Sequence, residues 1–224
     1  MIVADGIYYA LGLTAGGLVV SYLAGPWFGL PLYILAAFCL YFFRDPERAI
    51  PAGPVAVSPA DGKVVAVKRE SATQTRISIF LNIFDVHVNR APIGGTIAEV
   101  HYRKGQFHVA SREESSAENE QNEVSVRGEG TCVVFKQIAG LIARRIVFTK
   151  QMGDLVTKGE RVGLIKFGSR VDVLLGPEWE IIVQPGARVL AGTSAIARRR
   201  EYAGVDLAEA RQLTETRELV HAQA

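Results

Sequence analysis

The sequence predicts a mainly β domain preceded by an N-terminal hydrophobic helical hairpin, and three observations carry that expectation. From Gly6 to Phe43 there is no Asp, Glu, Lys, Arg or His. Beyond Arg48 the chain breaks into short runs of β-branched and aromatic residues punctuated by glycine and proline, the texture of strands joined by tight turns. Helical periodicity is scarce in that part, so the two regions differ in kind.

The hairpin comes first. Gly25-Pro26 divides the uncharged stretch into residues 7–24 and 27–43, each close to the roughly 17 to 25 residues with which a helix crosses the hydrocarbon core. Trp27, Tyr33 and Tyr41 lie near the segment ends, where interfacial aromatics belong, so a membrane anchor is expected rather than a buried pair of core helices. The start, Met1-Ile-Val-Ala-Asp5, has no basic residue and does not read as a secretory leader. The first cations afterwards are Arg44, Arg48 and Lys63, which predicts a soluble part on the cytoplasmic face of the cell membrane. One span with one interfacial segment satisfies the composition as well as two spans do.

Strands are expected at 64–67, 76–84, 96–102, 124–126, 131–138, 144–149, 161–165, 171–175, 181–183 and 188–190. Residues 111–122 are rich in Glu with almost no large apolar side chain, and read as an exposed loop. Three phrases, beginning at Ala60-Asp-Gly, Met152-Gly-Asp and Gln184-Pro-Gly, each read as turn, strand, turn, strand. They resemble barrel-sandwich folds, biotinyl and lipoyl carriers among them, so fold alone leaves function open. Arg198-Arg199-Arg200 reads as charged surface, followed by a solvated helix near 205–220. The expected organisation is an anchor at 1–43, a β-rich domain at 44–200 and a tail at 201–224.

Composition removes several classes. The 224 residues suit one domain and a small appendage, and a net charge of +2 gives no reason to expect a nucleic-acid partner. Two cysteines make neither a disulfide framework nor a thiolate zinc site, and His87, His101, His108 and His221 lack metal-ligand spacing, so no metal is expected. The sequence has no Gly-x-Ser-x-Gly elbow, Ser-x-x-Lys set, His-Glu-x-x-His, phosphate loop or dinucleotide fingerprint.

What remains is Leu164-Ile-Lys-Phe-Gly-Ser-Arg-Val-Asp-Val-Leu-Leu175, a Gly-Ser pair between two apolar strand-like runs. Ahead of it stand Phe42-Phe-Arg-Asp-Pro-Glu47, Ser58-Pro-Ala-Asp-Gly62, Phe84-Asp-Val-His-Val-Asn-Arg-Ala-Pro92 and Glu118-Asn-Glu-Gln-Asn122. In this order, over nearly the whole chain to about Arg198, the phrases resemble the short, archaeal-like class of phosphatidylserine decarboxylases.

The resemblance implies a proenzyme that cuts itself between Gly168 and Ser169, leaving a β chain of 1–168 and an α chain of 169–224 as a heterodimer, with higher assembly open. It implies a pyruvoyl group made from Ser169 as the only cofactor, and a Schiff base to phosphatidylserine at the bilayer that releases CO2 and leaves phosphatidylethanolamine. His87 is the expected proton donor. Asp61 is expected to orient its imidazole or to help deprotonate Ser169, and either Asp61 or His87 could be the base for cleavage.

One departure concerns Arg90. Many long-form relatives carry a second histidine three residues after the first, where this chain has Arg90, which cannot act as a base. Arg90 is expected either to hold the lipid phosphate or carboxylate or to form an ion pair. His101 and His108 are reserve candidates. Phe80, Ile83, Phe84 and Val86 are expected chiefly in the core, the alternative being that they extend the apolar surface the anchor offers the membrane. Two other functions are weighed: a relative acting on a different aminolipid, and a non-catalytic membrane-tethered barrel-sandwich module. A carrier would need a lysine in a Met-Lys-Met or Asp-Lys-Ala context, and Lys166 has neither.

Overall fold

The computed structural model describes residues 3–108, 115–140, 145–166 and 169–200. Gly168, the tail 201–224 with its expected helix, and the first part of the expected loop lie outside the described residues.

Two helices open the chain, α1 (Ala4–Ala24) and α2 (Pro26–Phe42), separated by Gly25 at a φ of 106°. They pack antiparallel with little between them. A Cβ on Gly29 would collide with Ser21, and one on Gly17 would collide with the Tyr33 ring. Small residues allow such a close approach between two apolar helices. Ser21 and Tyr33 share a hydroxyl hydrogen bond of 3.2 Å across the pair. Tyr22, Leu23, Trp27 and Phe28 point outward and are exposed. By length and composition α1 is long and apolar enough to cross a membrane, and α2 is a shorter apolar helix.

The remainder is mainly β. In chain order come β1 (Val55–Val57), β2 (Gly62–Arg69), β3 (Thr75–Leu81), β4 (Val88–Arg90), β5 (Gly95–Arg103), the single turn α3 (Ser115–Glu118), β6 (Gln121–Gly128) and β7 (Thr131–Ala139). Then follow β8 (Ile146–Phe148), β9 (Leu155–Val156), β10 (Arg161–Ile165), β11 (Ser169–Leu175), β12 (Trp179–Ile181), β13 (Arg188–Val189) and β14 (Ala195–Arg199). One curled eight-stranded antiparallel sheet runs β13-β2-β3-β11-β7-β6-β5-β9, and two small sheets, β1-β14-β12 and β4-β10-β8, complete the domain. The core lies inside the curl, where Ile77, Ile79, Leu81, Val124, Val126, Val133, Phe135, Val171 and Val173 are fully buried.

β11 sits in the middle of the large sheet and is buried on both faces. Val171, Val173 and Leu175 face the core; Arg170 and Asp172 point the other way. There Arg170 donates to Asp172 (2.7 Å) and to Ser78 (2.6 Å), while Arg76 (3.3 Å) and Ser116 (2.6 Å) also reach Asp172. Buried charges persist only when paired in this way.

Two expectations need correction. Gln121 and Asn122, placed in an exposed loop, are the buried first residues of β6, because their amides find partners inside the domain. Ile83 and Phe84, placed in the core, lie beyond the end of β3 with relative exposures of 38% and 58%. Val86, by contrast, is buried.

Candidate active site

Ser169 opens β11 opposite Leu81 of β3 and Ala139 of β7. Strand alternation turns its side chain to the same face as Val171 and Val173. The residue is fully buried, and its Oγ has no hydrogen-bond partner among the described residues. A hydroxyl left in this state costs about 1–3 kcal/mol. A purely structural position here would be occupied more stably by alanine.

His87 closes the connection from β3 to β4. That connection is pinned: Asp85 Oδ2 accepts from the Asn82 N–H (2.8 Å), and Asn82 Oδ1 accepts from the Phe84 N–H (3.1 Å), the self-bonded turn that Asx side chains favour. His87 Nδ1 lies 2.9 Å from the Asp85 carbonyl. A carbonyl only accepts, so Nδ1 carries a proton and Nε2 is the basic nitrogen of the neutral ring.

The ring packs on Phe42, at the end of α2, with centroids 4.3 Å apart. Burial pushes the His87 pKa down to about 4, against the opposing pull of the Asp85 carbonyl and carboxylate. At neutral pH the imidazole is therefore an uncharged base. The Ile165 N–H donates to the His87 carbonyl (3.2 Å), so His87 lies beside the end of β10, on the run of chain that leads into Ser169.

Asp61 is fixed from the other side. Gly62, at φ 151°, passes so close to the Phe80 carbonyl that a Cβ would collide with it, which seats Asp61 at the head of β2. One Arg48 nitrogen reaches both carboxylate oxygens (2.9 and 2.7 Å), and the Ala191 N–H donates to Oδ1 (2.7 Å). Burial raises the Asp61 pKa above its ordinary value, and the Ala191 N–H and Arg48 hold part of that rise back.

Lys63, Phe80 and Arg170 lie in one cross-strand row. Asp61 and Ser169 both come just before that row, on strands two spacings apart, about 10 Å of backbone. The imidazole is oriented by the Asp85 carbonyl, and the partner of Asp61 is Arg48. Sequence reasoning missed both Asp85 and Arg48, although Asp85 stands inside the quoted motif two residues before His87.

Arg90 is buried. It donates to Asp45 Oδ1 (2.8 Å), the Gly159 carbonyl (3.0 Å) and the Pro46 carbonyl (3.2 Å), and Asp45 also takes Arg161. The ion pair, one of its two expected roles, is present in the structure. It ties the connector after α2 to the β domain.

The other motif residues are stitched together by amides. Asn122 Nδ2 donates to Gln137 Oε1 (3.0 Å), Gln137 Nε2 donates to Asn89 Oδ1 (2.9 Å), and Asn89 Nδ2 reaches the Pro59 carbonyl (3.5 Å). One buried ladder thus links three phrases that are far apart in sequence. Asn119 Nδ2 donates to the Ala139 carbonyl (2.8 Å), holding the end of β7 next to Ser169. His101 is exposed on β5, and His108 pairs with Glu118 (2.9 Å). Among the described residues no group of three or more His, Cys, Asp or Glu side chains could hold a metal ion.

The family model for phosphatidylserine decarboxylase matches residues 35–197, a span containing all of these groups. The chain belongs to the phosphatidylserine decarboxylase family. It is 71% identical over 198 residues to a phosphatidylserine decarboxylase proenzyme of Solibacter usitatus strain Ellin6076, covering 88% of this chain and 97% of that protein. A proenzyme of the same description from Saccharopolyspora erythraea is 45% identical over 73% of this chain and 74% of its own length. Another from Cupriavidus pinatubonensis is 40% identical over 90% and 96%.

Proposed function

We propose that this decarboxylase family member is a self-processing proenzyme that converts phosphatidylserine to phosphatidylethanolamine and CO2 at the membrane. The observation that carries the reading is Ser169: a buried hydroxyl without a partner among the described residues, at the head of a central strand, following Gly168.

The chemistry of maturation uses groups of the chain itself. Ser169 Oγ gives up its proton and attacks the Gly168 carbonyl carbon. The peptide C–N bond breaks, and an ester to Oγ replaces it. Removal of the Cα proton then breaks the Cβ–Oγ bond, releasing the Gly168 carboxylate and leaving dehydroalanine. Its tautomer is hydrolysed by water, ammonia departs, and a pyruvoyl group ends the α chain of 169–224, while 1–168 remains as the β chain.

The enclosure of position 169 between β3 and β7 fits a carbonyl that must be kept from bulk water. Bound there, the pyruvoyl group would supply the carbonyl that condenses with a substrate amine and draws away electrons as CO2 leaves. His87 serves as base for Oγ and later moves a proton through Nε2, since its Nδ1 is committed to Asp85. Asp61, held by Arg48 and the Ala191 N–H, contributes fixed negative charge at the edge of the site. Arg90 is assigned to the connector rather than to the lipid. The apolar hairpin with Arg44 at its exit supports an anchor in the cell membrane and a catalytic domain on the cytoplasmic side.

Intact mass spectrometry of the purified protein tests this. Wild type is expected as two fragments meeting between Gly168 and position 169, the C-terminal one carrying pyruvoyl and blocked to Edman degradation. Ser169→Ala is expected as a single chain without activity. A wild type that stays whole in membranes would refute the proposal.

A further inference from the structure

The six residues from Asn82 to His87 present apolar surface where a loop feeding a catalytic candidate would be expected to hide it. Ile83 and Phe84 are exposed by 38% and 58% at the tip. The loop is not frayed, because the Asp85 and Asn82 side chains bond the backbone N–H groups of Asn82 and Phe84. A pinned loop that displays two large apolar side chains to water forgoes their burial, which is a recurrent mark of an interaction surface.

Its neighbours indicate what covers it. The Phe84 carbonyl accepts from Arg44 (2.7 Å) and from the Tyr41 hydroxyl (3.3 Å), and the Arg44 guanidinium lies 3.8 Å from the Tyr41 ring centroid. Tyr41 and Arg44 stand where the uncharged hairpin gives way to the first cation, the place where aromatic and basic residues mark a bilayer boundary. The loop is thus fixed at the level at which the hairpin leaves the hydrocarbon.

Charge agrees. Arg188 of β13 lies opposite Lys63 of β2, a like-charge cross-strand pair that is unfavourable by itself, and Arg188 reaches Asp85 of the loop at 3.1 Å. Arg188 and Arg44 thus both contact the loop that carries the apolar tip. An apolar wedge beside basic side chains matches an anionic leaflet.

We infer that the 82–87 loop is a second membrane contact, in which Ile83 and Phe84 enter the interface of an anionic phospholipid bilayer beside the end of α2. The inference rests on the membrane reading of the hairpin and adds a function to it: the hairpin holds the enzyme on the membrane, and the loop sets the bilayer surface within three residues of His87. Substrate then reaches the site by lateral movement, without leaving the lipid phase.

The test places an environment-sensitive dye at Phe84→Cys in full-length protein carrying Cys39→Ala and Cys132→Ser, bound to phosphatidylcholine–phosphatidylglycerol vesicles with brominated acyl chains. A dye at Thr73→Cys is the control. That residue lies beyond the opposite end of β3, about 25 Å away. Blue-shifted emission quenched by bromolipid at 84 and not at 73 is expected. In a second arm, the Ile83→Ser/Phe84→Ser protein should lose about ten-fold in kcat/KM on bilayer phosphatidylserine, with self-cleavage and turnover of a monomeric short-chain substrate unchanged.

If the protein floats with vesicles while the dye at 84 is untouched by bromolipid, the loop proposal fails and the anchor stands. If it does not float, the anchor reading fails and takes the loop with it. Protection at 84 that ignores bromolipid and grows with protein concentration would assign the loop to a protein contact and overturn the inference.

Discussion

A histidine that burial holds neutral works as a base over a wider pH range than a free one. With the His87 pKa at about 4, the first-order rate of self-cleavage is expected to stay flat from pH 8 to near 5 and to fall only as pH approaches 4. Cell-free synthesis into buffers of graded pH, with cleavage followed by gel, measures that limb. A midpoint near 6.5 would contradict the assignment. Between about 6.5 and 4 the unfolded chain binds a proton at position 87 that the folded chain refuses. Stability therefore falls as pH falls through that window, by about 3 kcal/mol in all, and is unaffected by this group above it. Asp61 acts with the opposite sign: its folded pKa is raised, so its contribution is present below the ordinary carboxylate value and is lost as pH rises through the folded one. Ser169, His87 and Asp61 could be proposed from the sequence only through the ordered motifs that resemble the family, since each phrase alone reads as an ordinary turn or strand end. The partners could not: that Arg48 holds Asp61 depends on the connector after α2 folding back onto β2, which no spacing encodes, and that the Asp85 carbonyl orients His87 depends on the turn its backbone makes, although the two residues are only two apart.

At the scale of elements, the long strands could be read from alternation, and the four unforeseen ones could not. β1, β4, β9 and β14 are two to five residues long, and their pairing comes from distant partners such as Arg198 across from Val55. Short segments carry too little pattern to announce themselves, and strand formation depends on context. The start of β6 failed differently, since polar residues read as solvated unless their partners are known. Gln137 is the middle rung of the amide ladder that makes those residues buriable. Gln137→Leu would strand the Asn89 carbonyl oxygen and an Asn122 N–H, at an expected cost of about 2–4 kcal/mol. Denaturant unfolding in detergent checks this on the uncleaved Ser169→Ala background. A change below 1 kcal/mol would mean that water replaces the lost rung.

The whole molecule is not a domain with a loose tether. Phe42 and Phe43, the last residues of the apolar stretch, are buried against Leu164 and Val147 of the β4-β10-β8 sheet, and Lys166 pairs with Asp5 at 3.0 Å below the Tyr9 and Phe43 rings. The hairpin thus forms one wall of the region that holds His87. Sequence divided these parts at residue 43 because charge changes there, yet packing runs through the boundary: Phe42 lies on the imidazole, and Arg90 binds Asp45 just beyond it. Phe42→Ala tests that continuity. Removing a fully buried phenyl ring is expected to cost about 3–5 kcal/mol of docking. Because burial is the largest cause of the lowered His87 pKa, water admitted beside the ring should return that pKa toward 6.5 and carry the acid limb of self-cleavage upward with it. A variant that remains in the membrane and cleaves with the wild-type limb near 4 would show that the anchor does not desolvate His87. An upward shift would establish that the apolar hairpin also tunes the base, so that hairpin and site are one packed unit.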